Sequence, residues 1–421
     1  MTTVEENERL VRVGPGTAMG GVLRRYWIPF LPSADLGAEG EPKRVRLLGE
    51  ELVAFRNRDG RVGVLDRYCP HRGVDLFYGR NEQCGLRCIY HGWKMELDGQ
   101  VSDMPNLRAG TQAAGRVRTT AYPTYDDGTV LWAYLGPPEA RPSRPPAIWE
   151  ATAAEQVSVR RIDCRGNWLQ HLEGQIDSSH VAFLHSYRSS GPHLFGDEAA
   201  YTDPNPDLEI VDTGFGAMFA WLRKGKAAGS RNVRMAQWAA PFMTGIAGFV
   251  VDGNHQFHFA VPEDDEHTIY LVVSHDPLPV PPRDDSEETR RLGELRYAPG
   301  SYRLELSPEN DYEIDREMQR TQNFSGIASL RVQDLAVQEL VRGGPVADRT
   351  REHLVATDRA ILFARRRLAR LMDRLEADGT LAEPGLLAEV DFRPFDHDVA
   401  ATTDVGEHCR ASVRPLRLGV G

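Results

Sequence analysis

Lysine is nearly missing from this chain: of its 50 basic residues only four are Lys, at 43, 94, 224 and 226. That bias carries no mechanistic weight, but the shortage of positive charge does. With 61 acidic residues the formal net charge is −11, which leaves no excess of cations to displace counterions from phosphates and excludes a nucleic-acid partner. No run approaches the roughly 18–20 apolar residues needed to span a bilayer, so no membrane role is expected. The opening Met-Thr-Thr-Val-Glu-Glu-Asn-Glu lacks the basic start and apolar stretch of a secretory signal, and the expectation is a cytoplasmic protein. Cysteine is scarce and odd in number, at 69, 84, 88, 164 and 409, which argues against a disulfide framework and for metal binding by some of the five. A dinucleotide fingerprint is also lacking. Gly14-Pro-Gly16 follows no strand and misses the required glycine spacing, so it reads as a turn.

What is present is ordinary globular composition, 41% hydrophobic and 26% charged over 421 residues, long enough for two domains. Short strand-like runs at 44–48, 51–55 and 62–65, separated by Gly, Asp and Asn, predict a small all-β domain extending to about residue 135. Residues 136–146 hold five prolines in eleven positions, too many for a helix or a central strand, and mark the boundary. Beyond it, strand-like segments at 246–251, 255–261 and 268–274, a Pro- and Asp-rich loop near 276–287, a solvated Asp/Arg-rich stretch at 283–291 and a helical pattern at 349–377 predict an α+β domain. The expected organisation is therefore an N-terminal segment, 1–40, packing on the larger domain, a small domain at 41–150 and the larger domain at 151–421, in which a central antiparallel sheet is flanked by helices.

Two Cys/His pairs, Cys69-Pro-His71 and Cys88-Ile-Tyr-His91, are separated by 16 residues, each on a turn rich in Gly or Pro. A Rieske [2Fe–2S] centre takes two thiolates on one iron and two imidazoles on the other, one Cys and one His from each loop. Tetrahedral zinc also accepts two Cys and two His, but zinc fingers keep like ligands together, whereas here they are interleaved. The spacing decides for the cluster. Cys84 is left outside it, as a buried small hydrophobe or a free thiol.

A second constellation is Asp177-x-x-His180-x4-His185. Mononuclear iron oxygenases use two His and one carboxylate on one face and leave the opposite positions open. Five residues of ideal helix would splay the two His by about 140°, which predicts a broken or π-type segment between 180 and 185. Alone, the His pair is a weak signal, and His171 reads as structural. The cluster strengthens it, because a cluster delivers single electrons and needs a redox acceptor. The third ligand is assigned to Asp334, set among Leu330, Leu335, Val337, Leu340 and Val341, where a buried carboxylate requires a partner. Glu339, Asp348 and Asp358 compete with it, and a structural salt bridge is its alternative reading.

With these motifs the chain resembles the large subunits of Rieske non-haem iron ring-hydroxylating oxygenases, and among them the phthalate dioxygenase-like group acting on aromatic acids. The likeness also includes Val13-Gly-Pro-Gly-Thr-Ala-Met-Gly20, Arg24-Arg-Tyr-Trp-Ile-Pro29 and residues 344–358. It implies Cys69, His71, Cys88 and His91 as [2Fe–2S] ligands, and His180, His185 and Asp334 as ligands of mononuclear Fe(II). It further implies a homotrimer, or a multiple of three, in which Asp177 bridges His180 to His91 of the adjacent subunit. Lacking nicotinamide and flavin motifs, the chain would take electrons from a separate NAD(P)H-dependent reductase, of flavin and ferredoxin type.

The activity implied is O2-dependent cis-dihydroxylation of a phthalate- or benzoate-like acid. Its alternatives are monooxygenation leading to O-demethylation of a methoxylated acid and, in a different class, a Rieske electron carrier without oxygenase activity. Substrate contacts are placed in 215–222 and 237–249, with Arg231 or Arg234 as a fork for a carboxylate, set against a plain surface role for either Arg.

Overall fold

The computed structural model describes residues 2–108, 115–146, 148, 156–186, 200, 203–247, 255–275 and 295–415. Two compact units emerge, Val13–Pro145 and a larger one joining Met1–Arg12 to Pro146–Gly421. Their boundary falls inside the proline-rich stretch. The first 40 residues do not form one segment packed on the larger unit, as was expected. Helix α1 (Val4–Val11) belongs there, held by a reciprocal cap between Thr3 and Glu6 and by burial of Leu10 and Val11. From Val13 onward the chain belongs to the smaller unit, because the apolar strand β1 (Ile28–Pro32) pairs with the strand Val130–Ala133 of that unit.

In the smaller unit α2 (Ala18–Leu23) and β1 precede ten strands: β2 (Lys43–Leu47), β3 (Glu50–Arg56), β4 (Val62–Asp66), β5 (Arg80–Glu82), β6 (Gly85–Arg87), β7 (Lys94–Glu96), β8 (Val101–Asp103), β9 (Ala121–Tyr122), β10 (Thr124–Asp126) and β11 (Val130–Ala133). They form antiparallel sheets in the orders β2-β3-β4-β9, β5-β6-β7-β8 and β1-β11-β10. One core joins Val53, Phe55 and Leu65 to Leu86 and Met95, and Cys69 and Cys88 are buried within it.

The larger unit is built on an antiparallel sheet of β12 (Val157–Arg165), β13 (Asp207–Asp212), β14 (Gly216–Lys224), β15 (Ser230–Ala239), β16 (Met243–Ala247), β17 (His255–Pro262) and β18 (His267–His275), in the order β12-β18-β17-β16-β15-β14-β13. The strand predicted at 246–251 is described only to Ala247, and the loops predicted near 276–287 and 283–291 lie outside the described residues. Strands β14 and β15 are buried almost throughout, as expected of strands covered on both faces. On one face Met218, Val233 and Met235 pack on Val405 and Cys409. Residues directly opposite each other share a face, so the register places Tyr270, Ala260, His258, Thr244, Trp238, Ala236 and Arg234 together on the other.

That second face meets α3 (Trp168–Gln175) and, after the single turn α4 (Val181–Leu184) and α5 (Arg316–Thr321), the helix α6 (Leu330–Glu339). The helix predicted at 349–377 begins only at α7 (Arg359–Asp378), because two short 3-10 turns, Arg349–Arg351 and Ala356–Asp358, precede it. Then follow α8 (Glu383–Leu387), β19 (Val390–Phe392), β20 (Phe395–Ala400) beside β15, α9 (Val405–Arg410) and β21 (Val413–Pro415). Helix α3 is fastened from behind: Glu173 accepts from Arg349 at 3.0 Å and from Arg365 at 2.6 Å, and both guanidinium groups are buried. Breaking such a buried pair costs roughly 3–5 kcal/mol, because it strands an uncompensated charge.

Ile162, Cys164, Tyr270, Tyr312, Val332 and Leu335 close the core beneath α6. At its edge Glu339 accepts from the Arg165 backbone N–H at 3.1 Å and from the Tyr312 hydroxyl at 2.6 Å. Burial pushes its carboxyl up to about 7. As pH rises towards that value the unfolded chain loses this proton before the folded one does, so the contribution of Glu339 to stability declines across the window. Glu339→Gln removes the ionisation. Its melting temperature relative to the parent is expected to improve steadily from about pH 5 to about pH 8, and a constant difference would contradict the assignment.

Candidate metal centres

Two loops of the smaller unit share one backbone design. Cys69 N–H donates to Val74 O at 2.8 Å and Gly73 N–H returns to Cys69 O at 2.9 Å. Cys88 N–H donates to Trp93 O at 2.8 Å and Gly92 N–H returns to Cys88 O at 3.0 Å. Gly73 and Gly92 both take positive φ, +68° and +76°, a conformation that favours glycine. A Cβ on Gly92 would also approach Pro105 to 2.7 Å.

The loops bring together like atoms from unlike spacings, Cys-x-His and Cys-x-x-His. Cys69 and Cys88 are buried side by side, and the rings of His71 and His91 lie 4.6 Å apart. Trp93 stacks on His71 at 4.3 Å and is itself anchored through its indole N–H to Asn106 Oδ1 at 2.8 Å. Burial pushes the Cys69 thiol up to about 11, with Cys88 adding to the rise and the backbone N–H groups of His71 and Arg72 opposing it. A buried sulfur pair beside two imidazoles is a donor set for a bound cation. Cys84 takes no part. It is exposed, 3.8 Å from Lys94 Nζ, rather than a buried hydrophobe.

In the larger unit α3 ends at Gln175, and the chain turns before a single helical turn whose first flanking residue is His180 and last is His185. In place of a π-type distortion inside one longer helix, the helical conformation ends at Leu184, and His185 has φ −99° and ψ 8°. The two rings therefore converge, with centroids 5.1 Å apart.

Asp334, on α6, completes the group. Its Oδ1 lies 3.1 Å from His185 Nε2 and 3.7 Å from His180 Nε2. The three side chains can each offer one atom, all within 4.8 Å of one another. Burial raises the Asp334 carboxyl, but His185, Arg331 and His180 outweigh it and hold the group far below the usual carboxylate range. The rival carboxylates are engaged elsewhere: Asp348 caps Thr350, Asp358 caps Val355, and Glu339 is held as described above.

The far sides of the rings decide what Nε2 can do. His185 Nδ1 lies 2.8 Å from Gln333 Oε1, while Gln333 Nε2 donates to Ile327 O at 2.7 Å. That second bond fixes which way the amide points, so His185 donates from Nδ1 and turns Nε2 towards Asp334. His180 Nδ1 faces Asp177 Oδ2 at 3.4 Å. A carboxylate oxygen at such distances from imidazole nitrogens is stabilised by positive charge between them, a proton or a metal cation, and two imidazole nitrogens with one carboxylate suit a divalent iron.

Gln333 was missed in the sequence. So was Gln338, whose Oε1 lies 2.7 Å from the buried His171, a residue that serves the structure as expected. Of the apolar residues around Asp334, Leu335 is buried but Val337 and Leu340 are exposed; Asp334 is buried as expected, and Gln333 and Gln338 are buried with it.

Arg234 is not a surface residue. It is 5% exposed and pairs with Asp396 at 2.6 Å, on the site-facing side of the sheet. Arg231 donates to Thr403 O, at the edge of the sheet beside β20.

Residues 26–123 match the Rieske [2Fe-2S] domain model, and residues 133–387 match the LigXa C-terminal domain-like model. The chain is 39% identical to the oxygenase subunit of phthalate 4,5-dioxygenase from Pseudomonas putida, over 87% of this chain and 85% of that protein. It is 36% identical to the oxygenase subunit of 3-chlorobenzoate-3,4-dioxygenase from Comamonas testosteroni, over 92% of each. The chain belongs to the Rieske oxygenases. Its fold is shared with the oxygenase in an oxygenase–ferredoxin complex of carbazole 1,9a-dioxygenase, at a TM-score of 0.53 and 21% identity over 83% of this chain and 90% of that one. This Rieske oxygenase thus carries an iron–sulfur domain and a catalytic domain whose family uses a mononuclear iron, and among its described residues no helix is long and apolar enough to cross a membrane.

Gln333→Leu removes the acceptor that orients His185, while Ile327 O keeps its bond from Asn323 Nδ2 at 3.0 Å. Iron retention against a chelator is expected to fall by about 10- to 100-fold. Unchanged retention would show that Gln333 does not orient a ligand.

Proposed function

We propose that this chain is the oxygenase component of a multicomponent system that cis-dihydroxylates a small aromatic acid of the phthalate or benzoate class. Cys69, His71, Cys88 and His91 hold the [2Fe–2S] cluster, and His180, His185 and Asp334 hold the mononuclear iron. The observation that carries the reading is the convergence of two imidazole Nε2 atoms and one carboxylate oxygen in a chain that also has paired Cys/His loops. When bound, the cluster supplies single electrons and the iron a site for dioxygen.

The protein's own groups do the rest. Asp177 Oδ1 accepts the Ser179 N–H at 2.8 Å, which leaves Oδ2 directed at His180 Nδ1. Asp177 serves as the bridging carboxylate between His180 and His91 of a neighbouring subunit, in an assembly of three or a multiple of three. A separate NAD(P)H-dependent reductase, with or without a ferredoxin, delivers two electrons per turnover. With dioxygen, two protons and the arene, the balance is one cis-dihydrodiol. The relatives named as phthalate and chlorobenzoate dioxygenases favour dihydroxylation over O-demethylation.

The substrate is assigned to the sheet face that carries Trp221, Arg234 and Ala236. Arg234 attracts the substrate carboxylate, its charge already felt at His180 and its guanidinium braced by Asp396.

Iron and acid-labile sulfide are expected at about three and two per chain, against two and two for an electron carrier. Oxygen uptake with a reductase is expected to depend on a phthalate or benzoate and to yield a cis-diol; equal uptake without an aromatic acid, or a demethylated product, would contradict the reading. Arg234→Met is expected to raise KM for acids far more than for their uncharged amides, and equal effects would reject its role.

A further inference from the structure

The two oxygens of Asp334 face different partners. Oδ1 lies 3.1 Å and 3.7 Å from the two imidazole Nε2 atoms, whereas Oδ2 lies 3.2 Å from Arg331 Nη1, three residues earlier on the same helix. Arg331 is not free to drift from that contact. The same Nη1 lies 3.2 Å from the Tyr270 hydroxyl, Nη2 approaches His258 Nδ1 at 3.5 Å, and the guanidinium sits over the Tyr270 ring at 4.9 Å.

Tyr270 is fixed in turn. Its hydroxyl is 2.7 Å from His258 Nδ1, and His258 Nε2 is 3.2 Å from Gln256 Oε1. Burial keeps His258 neutral. Its one ring proton then points from Nε2 to Gln256, so Nδ1 accepts the tyrosine hydroxyl proton and the tyrosine oxygen accepts from Arg331. Each bond therefore has a fixed direction: Arg331 donates to the Tyr270 oxygen and to Asp334 Oδ2, Tyr270 donates to His258 Nδ1, and His258 Nε2 donates to Gln256 Oε1.

We propose that Arg331 is a positioning residue that reserves Oδ2 of Asp334, with Tyr270 and His258 bracing it, so that Asp334 gives the iron a single oxygen. The inference rests on the reading that His180, His185 and Asp334 hold that iron. A carboxylate binding through one oxygen occupies one coordination position instead of two, which keeps a further position open for oxygen chemistry. The sequence hides this role, because an Arg three residues from an Asp on a helix reads as an ordinary ion pair.

The test is near-infrared magnetic circular dichroism of the ferrous site, which reports its coordination number, in the full oxygenase with the cluster kept oxidised. Arg331→Met frees Oδ2 and is expected to raise the coordination number by one. Arg331→Lys, which keeps a cation within reach of Oδ2, is expected to retain the parent pattern. Tyr270→Phe is expected to show a mixture of the two. Parent-like bands in Arg331→Met overturn the proposal. If that variant does not fold, parent-like bands in Tyr270→Phe overturn it equally. Asp334→Ala, assayed for iron alongside, separates the two levels: loss of the ferrous signal upholds the ligand assignment, and its retention overturns that assignment together with the role of Arg331.

Discussion

Everything in the larger unit is arranged around a buried carboxylate, Asp334, that faces the Nε2 atoms of two imidazoles. A lone carboxylate in this position would bear a heavy desolvation cost. Here it is met from one side by Nε2 of His180 and His185 and from the other by Arg331. Gln333, by donating to Ile327 O, presents only an acceptor to His185 Nδ1, so the ring donates from Nδ1 and presents Nε2 to Asp334. The order of control runs from a backbone carbonyl to an amide, to a ring and finally to the open centre. Outer hydrogen bonds of this kind set the orientation and basicity of metal ligands.

The scaffold supplies rigidity to that centre from two directions. The sheet contributes Tyr270 and His258 from β18 and β17, on a face whose reverse side is sealed by the apolar contacts of β14, β15 and α9. Helix α3, which leads into the Asp177–His185 segment, is pinned by Glu173 to two buried arginines. The smaller unit solves a different problem with a different device. Its paired loops use identical backbone hydrogen bonds and left-handed glycines to bring two sulfurs and two imidazoles together from unequal sequence spacings.

Side-chain chemistry was legible in the sequence to the extent that it is written in residue type and spacing. The interleaved Cys and His pairs, the proline-rich boundary and the Asp177-x-x-His180-x4-His185 segment could all be read directly. The supporting groups could not. On α6 Gln333, Asp334 and Gln338 are buried alongside Val332 and Leu335, while Val337 and Leu340 are exposed, so hydrophobic periodicity locates the buried face only in part where a helix buries polar groups as well. Two buried glutamines opposite two histidines were the available signal. The late start of α7 and the division of the first 40 residues were equally hidden, because short 3-10 turns and the pairing of β1 depend on partners distant in the chain.

Anomalous diffraction at the iron absorption edge, from crystals of the reduced oxygenase grown without oxygen, tests the central claim most directly. An iron peak is expected enclosed by His180 Nε2, His185 Nε2 and Asp334 Oδ1, with a separate two-iron feature between the loops of Cys69 and Cys88. A peak at the first position that follows the zinc edge, or iron bound through residues other than these three, would contradict it.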